Sequence, residues 1–93
     1  MYLNLDSDQL VLIRELAGLL TSVTDMAALM DIDEDMLRME LMAPDSEAGR
    51  IYRKAVAETA LEIRRQELQF ARMGSPAAVQ SAAAYLASMD LNL

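Results

Sequence analysis

The chain has no cysteine and no histidine. The first absence removes disulfides and thiolate metal sites and fits a reducing cytosol. The second removes the usual general base, the usual zinc ligand and the usual near-neutral pH switch together, so carboxylates, hydroxyls and amines are the only groups left for chemistry. No enzymatic activity, cofactor or metal is expected. Aromatic side chains are scarce too: four in 93 residues, against eight methionines. That balance points to an adaptable core or contact surface filled by flexible thioethers. Long apolar runs are also missing. None approaches the roughly 20 residues that span a bilayer, and the opening "MYLNLDSD" lacks the basic and apolar regions of a signal peptide. The expectation is a cytoplasmic protein with no membrane partner.

What is present is charge, unevenly spread. The net of −7 divides into −9 over residues 1–47, where eleven acids face Arg14 and Arg38, and +2 over residues 48–93, where six bases face four acids. A chain polarised in this way can meet nucleic acid with one end only, or meet a copy of itself head to tail. At this length the core is modest, so stability is expected to lean on self-association.

No alternating β-branched run occurs, and Ala, Leu, Met, Glu, Gln and Arg dominate, so the fold is predicted to be all-α. A first helix starts behind Asp6 or Ser7, with Leu10, Ile13, Leu16, Ala17 and Leu20 on one face. Gly18 within it costs about 1 kcal/mol in propensity and points to a close helix crossing. Thr24 is the expected cap of a short helix over 25–30, and Asp33 that of another over 34–42, which Pro44 ends. Asp45 or Ser46 opens a long helix to about Met73. Gly74 suits the left-handed position that closes it, Ser75 caps the next helix and Pro76 sits at its first position. That last helix is predicted to pack Val79, Ala82, Ala83, Leu86 and Met89 along one side, with "DLNL" either frayed or tucked into a neighbour. The reading is a three-helix head over 1–43 followed by an antiparallel helical hairpin over 44–93, one compact chain.

Two features could carry function. In "DMAALMDIDEDMLRMEL", Ala27, Asp31, Ile32 and Leu37 have the small, turn, apolar, apolar spacing of a helix-turn-helix, with Asp31 in place of the common glycine. The helix after that turn begins Asp33, Glu34, Asp35. Three carboxylates there repel phosphates, yet each is stabilised by the positive end of the helix dipole. The second feature is the long helix. On a wheel of about 100° per residue, Arg50, Arg53, Lys54, Arg64, Arg65 and Arg72 all fall within about 120°. The other side carries Tyr52, Ala55, Val56, Thr59, Ile63, Phe70 and Met73, an apolar stripe expected to pack on the head or the last helix. The basic stripe has three readings: a solvated face with intrahelical pairs such as Glu58 to Arg65, a subunit interface, and a phosphate track. Leu61 and Leu68 lie among the bases, where a purely solvated face has no use for them, and point to a protein contact on that side.

The helix-turn-helix "SVTDMAALMDIDEDMLRMEL", the long charged helix and the join "RRQELQFARMGSPAAVQSAAAYL" together resemble the small terminase subunits of tailed bacteriophages. Ala71, Gly74, Ser75, Pro76, Ala78 and Leu86 fall on the hairpin-turn pattern of that family, and the resemblance covers residues 22–89. It implies a non-enzymatic DNA-packaging factor that assembles as a ring, binds double-stranded DNA and hands it to a large motor subunit, in host cytoplasm. Carried over, Arg38 is the one base of the reading helix, and Ile63, Leu68, Phe70 and Leu86 supply ring contacts. The resulting expectation is DNA contact by Arg38, Arg50, Arg53, Lys54, Arg64 and Arg65, and oligomer contact by Leu61, Ile63, Leu68, Phe70 and Leu86. The alternative is a helical adaptor of a virion or other assembly that binds protein. A dimeric transcriptional repressor would need a basic reading helix, which this sequence lacks.

Overall fold

The protein is described by a computed structural model over residues 3–89. It is all-α: α1 Ser7–Gly18, α2 Val23–Met30, α3 Glu34–Met42, α4 Glu47–Arg72 and α5 Pro76–Ser88. Local chemistry accounts for each boundary. The Asp6 carboxylate accepts from the Gln9 N–H at 2.8 Å while the Gln9 side-chain oxygen accepts from the Asp6 N–H at 2.9 Å, a reciprocal box that satisfies two donors at the start of α1. Ser22, not Thr24, caps α2, accepting from the Asp25 N–H at 3.1 Å. The helix therefore begins two residues earlier than the sequence pattern placed it. Asp33 caps α3 through the Met36 N–H at 3.0 Å, and Ala43 is extended at ψ 130°, as the residue before Pro44 must be. The buried Ser46 hydroxyl accepts from the Gly49 N–H at 3.0 Å and opens α4. Ser75 opens α5, with Pro76 in its first turn.

Three helices close the same way. Thr21 N–H reaches Leu16 O at 3.0 Å after α1, Ile32 N–H reaches Ala27 O at 3.0 Å after α2, and Ser75 N–H reaches Phe70 O at 3.1 Å after α4. Each is the long bond of a Schellman motif. The pivot residues are Leu20 at φ 59°, Asp31 at φ 54° and Gly74 at φ 93°. Gly74 and Asp31 meet the expectation. Leu20 does not: it was expected on the packing face of α1, but the helix ends at Gly18 and Leu20 takes the left-handed position with its side chain exposed.

The chain divides into two compact units, Met1–Thr59 and Ala60–Leu93. In the first, Ile13, Met26, Ala27, Leu37, Leu41 and Ala48 form the buried core, flanked by Leu10, Leu16, Val23, Ile32, Ile51 and Tyr52. Three of these come from α4. Its opening turns are part of the head, so the division falls inside α4 and not at residue 43. Gly49 makes that docking close, since a Cβ there would collide with the Leu41 carbonyl oxygen. Arg53 donates to the same oxygen at 3.1 Å, and the Thr59 hydroxyl donates to Gly18 O at 2.6 Å. Gly18 is less crowded than expected, because an added Cβ would meet Thr59 Oγ1 at an ordinary 3.8 Å.

In the second unit the C-terminal turns of α4 meet α5 across the Gly74 turn. The Tyr85 hydroxyl donates to Glu67 Oε1 at 2.6 Å and the Arg64 guanidinium lies 5.9 Å from the Tyr85 ring centre. Arg64 stands ten residues before Gly74 and Tyr85 eleven after it, a spacing consistent with an antiparallel hairpin. No helix among the described residues is long and apolar enough to cross a membrane. The expectation for "DLNL" lies outside the described residues.

Candidate functional site

The helix-turn-helix residues sit where the spacing put them: Ala27 and Leu37 are buried, Ile32 is half-buried and Asp31 makes the left-handed turn. What α3 then presents differs from a base-reading surface. Asp33 is occupied as a cap, and Glu34 ion-pairs with Arg38 at 3.1 Å, both side chains being partly exposed. The one base of the reading helix is therefore neutralised within its own helix. Its exposed residues are Asp35, Met36, Arg38, Met39 and Met42. Met36, Met39 and Met42 recur every three positions, which places them along one side of α3.

The basic residues part company. Arg53 closes the C-terminal end of α3 through Leu41 O and, with Arg38, borders an apolar pocket of about 380 Å³ lined by Val23, Leu41, Met42 and Tyr52. Arg50 and Lys54 line a different cleft, of about 280 Å³, together with Arg14 of α1, Ile51 and Glu58. In the second unit Arg64 is half-buried against Tyr85, while Arg65 is exposed. Among the described residues the recorded ion pair is Arg38–Glu34.

The hairpin inverts the expected packing. Ala78 is its buried residue, and the half-buried positions are Ala60, Arg64, Glu67, Ala71, Ser75, Ser81, Ala82 and Tyr85. The join is thus made of small side chains and a polar network, whereas Val79 and Leu86 of α5 and Ile63 and Phe70 of α4, with Met73 and Met89 just beyond the helix ends, are exposed. Alanines let the helices approach, and the Tyr85 hydroxyl needs an acceptor that Glu67 supplies. The five residues read as an oligomer interface, Leu61, Ile63, Leu68, Phe70 and Leu86, are 38–62% exposed. Leu61 with Leu68 and Ile63 with Phe70 are seven apart, so each pair lines up along the helix, one on either flank of the face that meets α5.

Hydrogen bonding tunes the network. The bond from Tyr85, and then one from Ser81, holds the Glu67 carboxyl below its ordinary value, and the same bond holds the Tyr85 phenol above its own, with burial and the Glu67 charge acting in the same direction. Among the described residues no group of three or more acids is placed to hold a metal ion. Sequence reasoning missed Arg14 and Tyr85. Tyr85 lies seven residues after Ala78, the register that would have put it on the small-residue face. Arg14 needed the packing of α1 along α4, which no local pattern reveals. Comparison with known proteins finds no match among family models, curated proteins or solved structures.

Proposed function

We propose that the chain is a non-enzymatic assembly factor of the small-terminase kind: a homo-oligomer, a ring by analogy, whose subunits join through the hairpin and which binds double-stranded DNA for a large packaging motor. The observation that carries this reading is the hairpin itself. Two helices joined through alanines and one tyrosine leave Leu61, Ile63, Leu68, Phe70 and Leu86 exposed by 38–62%, and burying the remainder of one such side chain contributes about 1–2 kcal/mol. A neighbouring copy offers the same faces. DNA contact is assigned to Arg50 and Lys54 of the head and Arg65 of the hairpin, because Arg38, Arg53 and Arg64 already have partners. Measuring mass in solution, and retention on duplex DNA at low and high salt, tests the two halves separately. A monomer that ignores DNA at low salt would sink the reading.

A second reading, an adaptor that binds protein, is favoured by one observation: Met36, Met39 and Met42 stand exposed where a reading helix needs polar or basic side chains. Met-rich surfaces suit protein partners. It predicts a co-complex that survives nuclease treatment.

A further inference from the structure

The geometry points to a phosphate-binding site that the helix-turn-helix does not contain: the cleft of about 280 Å³ where Arg14 of α1 meets Arg50 and Lys54 of α4, beside Ile51 and Glu58. Three cations face one carboxylate in a chain whose net charge is −7. No ion pair among the described residues uses any of the three. Arg50 and Lys54 are like charges four apart on one helix, an arrangement that weakens it, and Lys54 precedes Glu58 in the less favourable orientation for a pair. Arg14 is brought to them from another helix, adding two further repulsions. A set of side chains that repel one another in the free protein is relieved by an anion between them.

The chemistry selects among anions. Two guanidinium forks can each hold two oxygens of a phosphate, while the ammonium supplies a point charge. The surplus of two positive charges matches one phosphate monoester or two successive phosphodiesters. Half-buried Ile51 excludes water from one wall, which strengthens each contact. Glu58 repels the same ligand and limits its charge. The phosphate could belong to a nucleic-acid backbone or to a small phosphorylated compound. Only the first source rests on the proposed DNA reading.

Amide NMR titration of the full chain with inorganic pyrophosphate, at constant ionic strength in chloride, tests the site. Saturable shifts are expected in α1 and α4 around Arg14 and Lys54. Arg14→Ala and Lys54→Ala should each weaken binding about tenfold, with the fold checked by circular dichroism. Glu58→Gln should tighten it, while Asp8→Asn, which makes the same change in net charge outside the cleft, should leave it unchanged. Absence of saturation, or equal responses of Glu58→Gln and Asp8→Asn, overturns the site. A short DNA duplex then separates the sources. Displacement of pyrophosphate by the duplex identifies the backbone as ligand. Pyrophosphate binding without duplex binding upholds the site for a small compound and removes the DNA reading. Duplex binding that Arg14→Ala and Lys54→Ala leave undiminished overturns the cleft as the backbone site while the DNA reading stands.

Discussion

At the scale of single residues, two backbone positions carry strong expectations. Gly49 lies where α4 touches the end of α3, and any Cβ would strike the Leu41 carbonyl. Gly49→Ala gains helix propensity but forces the docking apart, an overpacking cost of about 1–3 kcal/mol. Its urea midpoint should therefore fall although alanine is the better helix former. Leu20 presents the opposite case. It holds φ 59° at the close of α1 with its side chain half in solvent, a conformation that costs a leucine about 1–2 kcal/mol. Leu20→Gly should raise the urea midpoint, reflecting a gain in stability of about 0.5–1 kcal/mol once the extra freedom of glycine in the unfolded chain is counted. Arg38→Ala removes an exposed pair to Glu34 and should change stability by only a few tenths of a kcal/mol.

At the scale of elements, the helices were legible wherever a local signal governs a boundary. Asp6, Asp33, Ser75, Pro76 and Gly74 act at the places their chemistry marks. The failures came where tertiary structure decides. Ser22 wins the cap of α2 over Thr24 two residues away, and α1 stops before Leu20 because the chain must turn toward α2. The apolar stripe of α4 held for Tyr52, Ala55 and Val56, which pack in the head, and failed for Ile63, Phe70 and Met73, which face out. A hydrophobic wheel finds what can be buried, not which partner buries it. In the hairpin the join instead rests on Tyr85 and Glu67, which gives it a pH signature. With its folded-state value lowered, the Glu67 carboxylate stabilises the hairpin above its ordinary 4.5 and loses that contribution as pH falls through the lowered value. With its value raised, Tyr85 contributes below its ordinary 10.0 and loses that contribution as pH climbs through the raised value. Helicity followed by circular dichroism should decline below about pH 4.5 and above about pH 10, and Tyr85→Phe should flatten both limbs.

At the scale of the whole molecule, the candidate site was the least legible part. The sequence ordered the bases by helical angle, yet their work is set by neighbours that only folding supplies: Arg53 by a carbonyl of α3, Arg64 by a ring of α5, and Arg50 and Lys54 by Arg14. Of the exposed hairpin residues only Leu61 and Leu68 were legible as outward-facing, because they lie among the bases, whereas Ile63 and Phe70 belonged to the stripe expected to pack and emerge on the opposite flank of α4. Self-association is proposed to run through these side chains. Replacing Phe70 and Leu86 by glutamate removes two apolar anchors that, being 56% and 62% exposed, are worth about 2–4 kcal/mol together, enough to weaken association by at least about tenfold. The direct test is the mass of the intact chain in solution, by analytical ultracentrifugation over a range of concentrations, for the wild type and this double variant. Self-association through the hairpin gives a species that is a multiple of 10.3 kDa and a shift toward the single chain in the variant. A wild-type chain that sediments as a 10.3 kDa monomer at every concentration would contradict it.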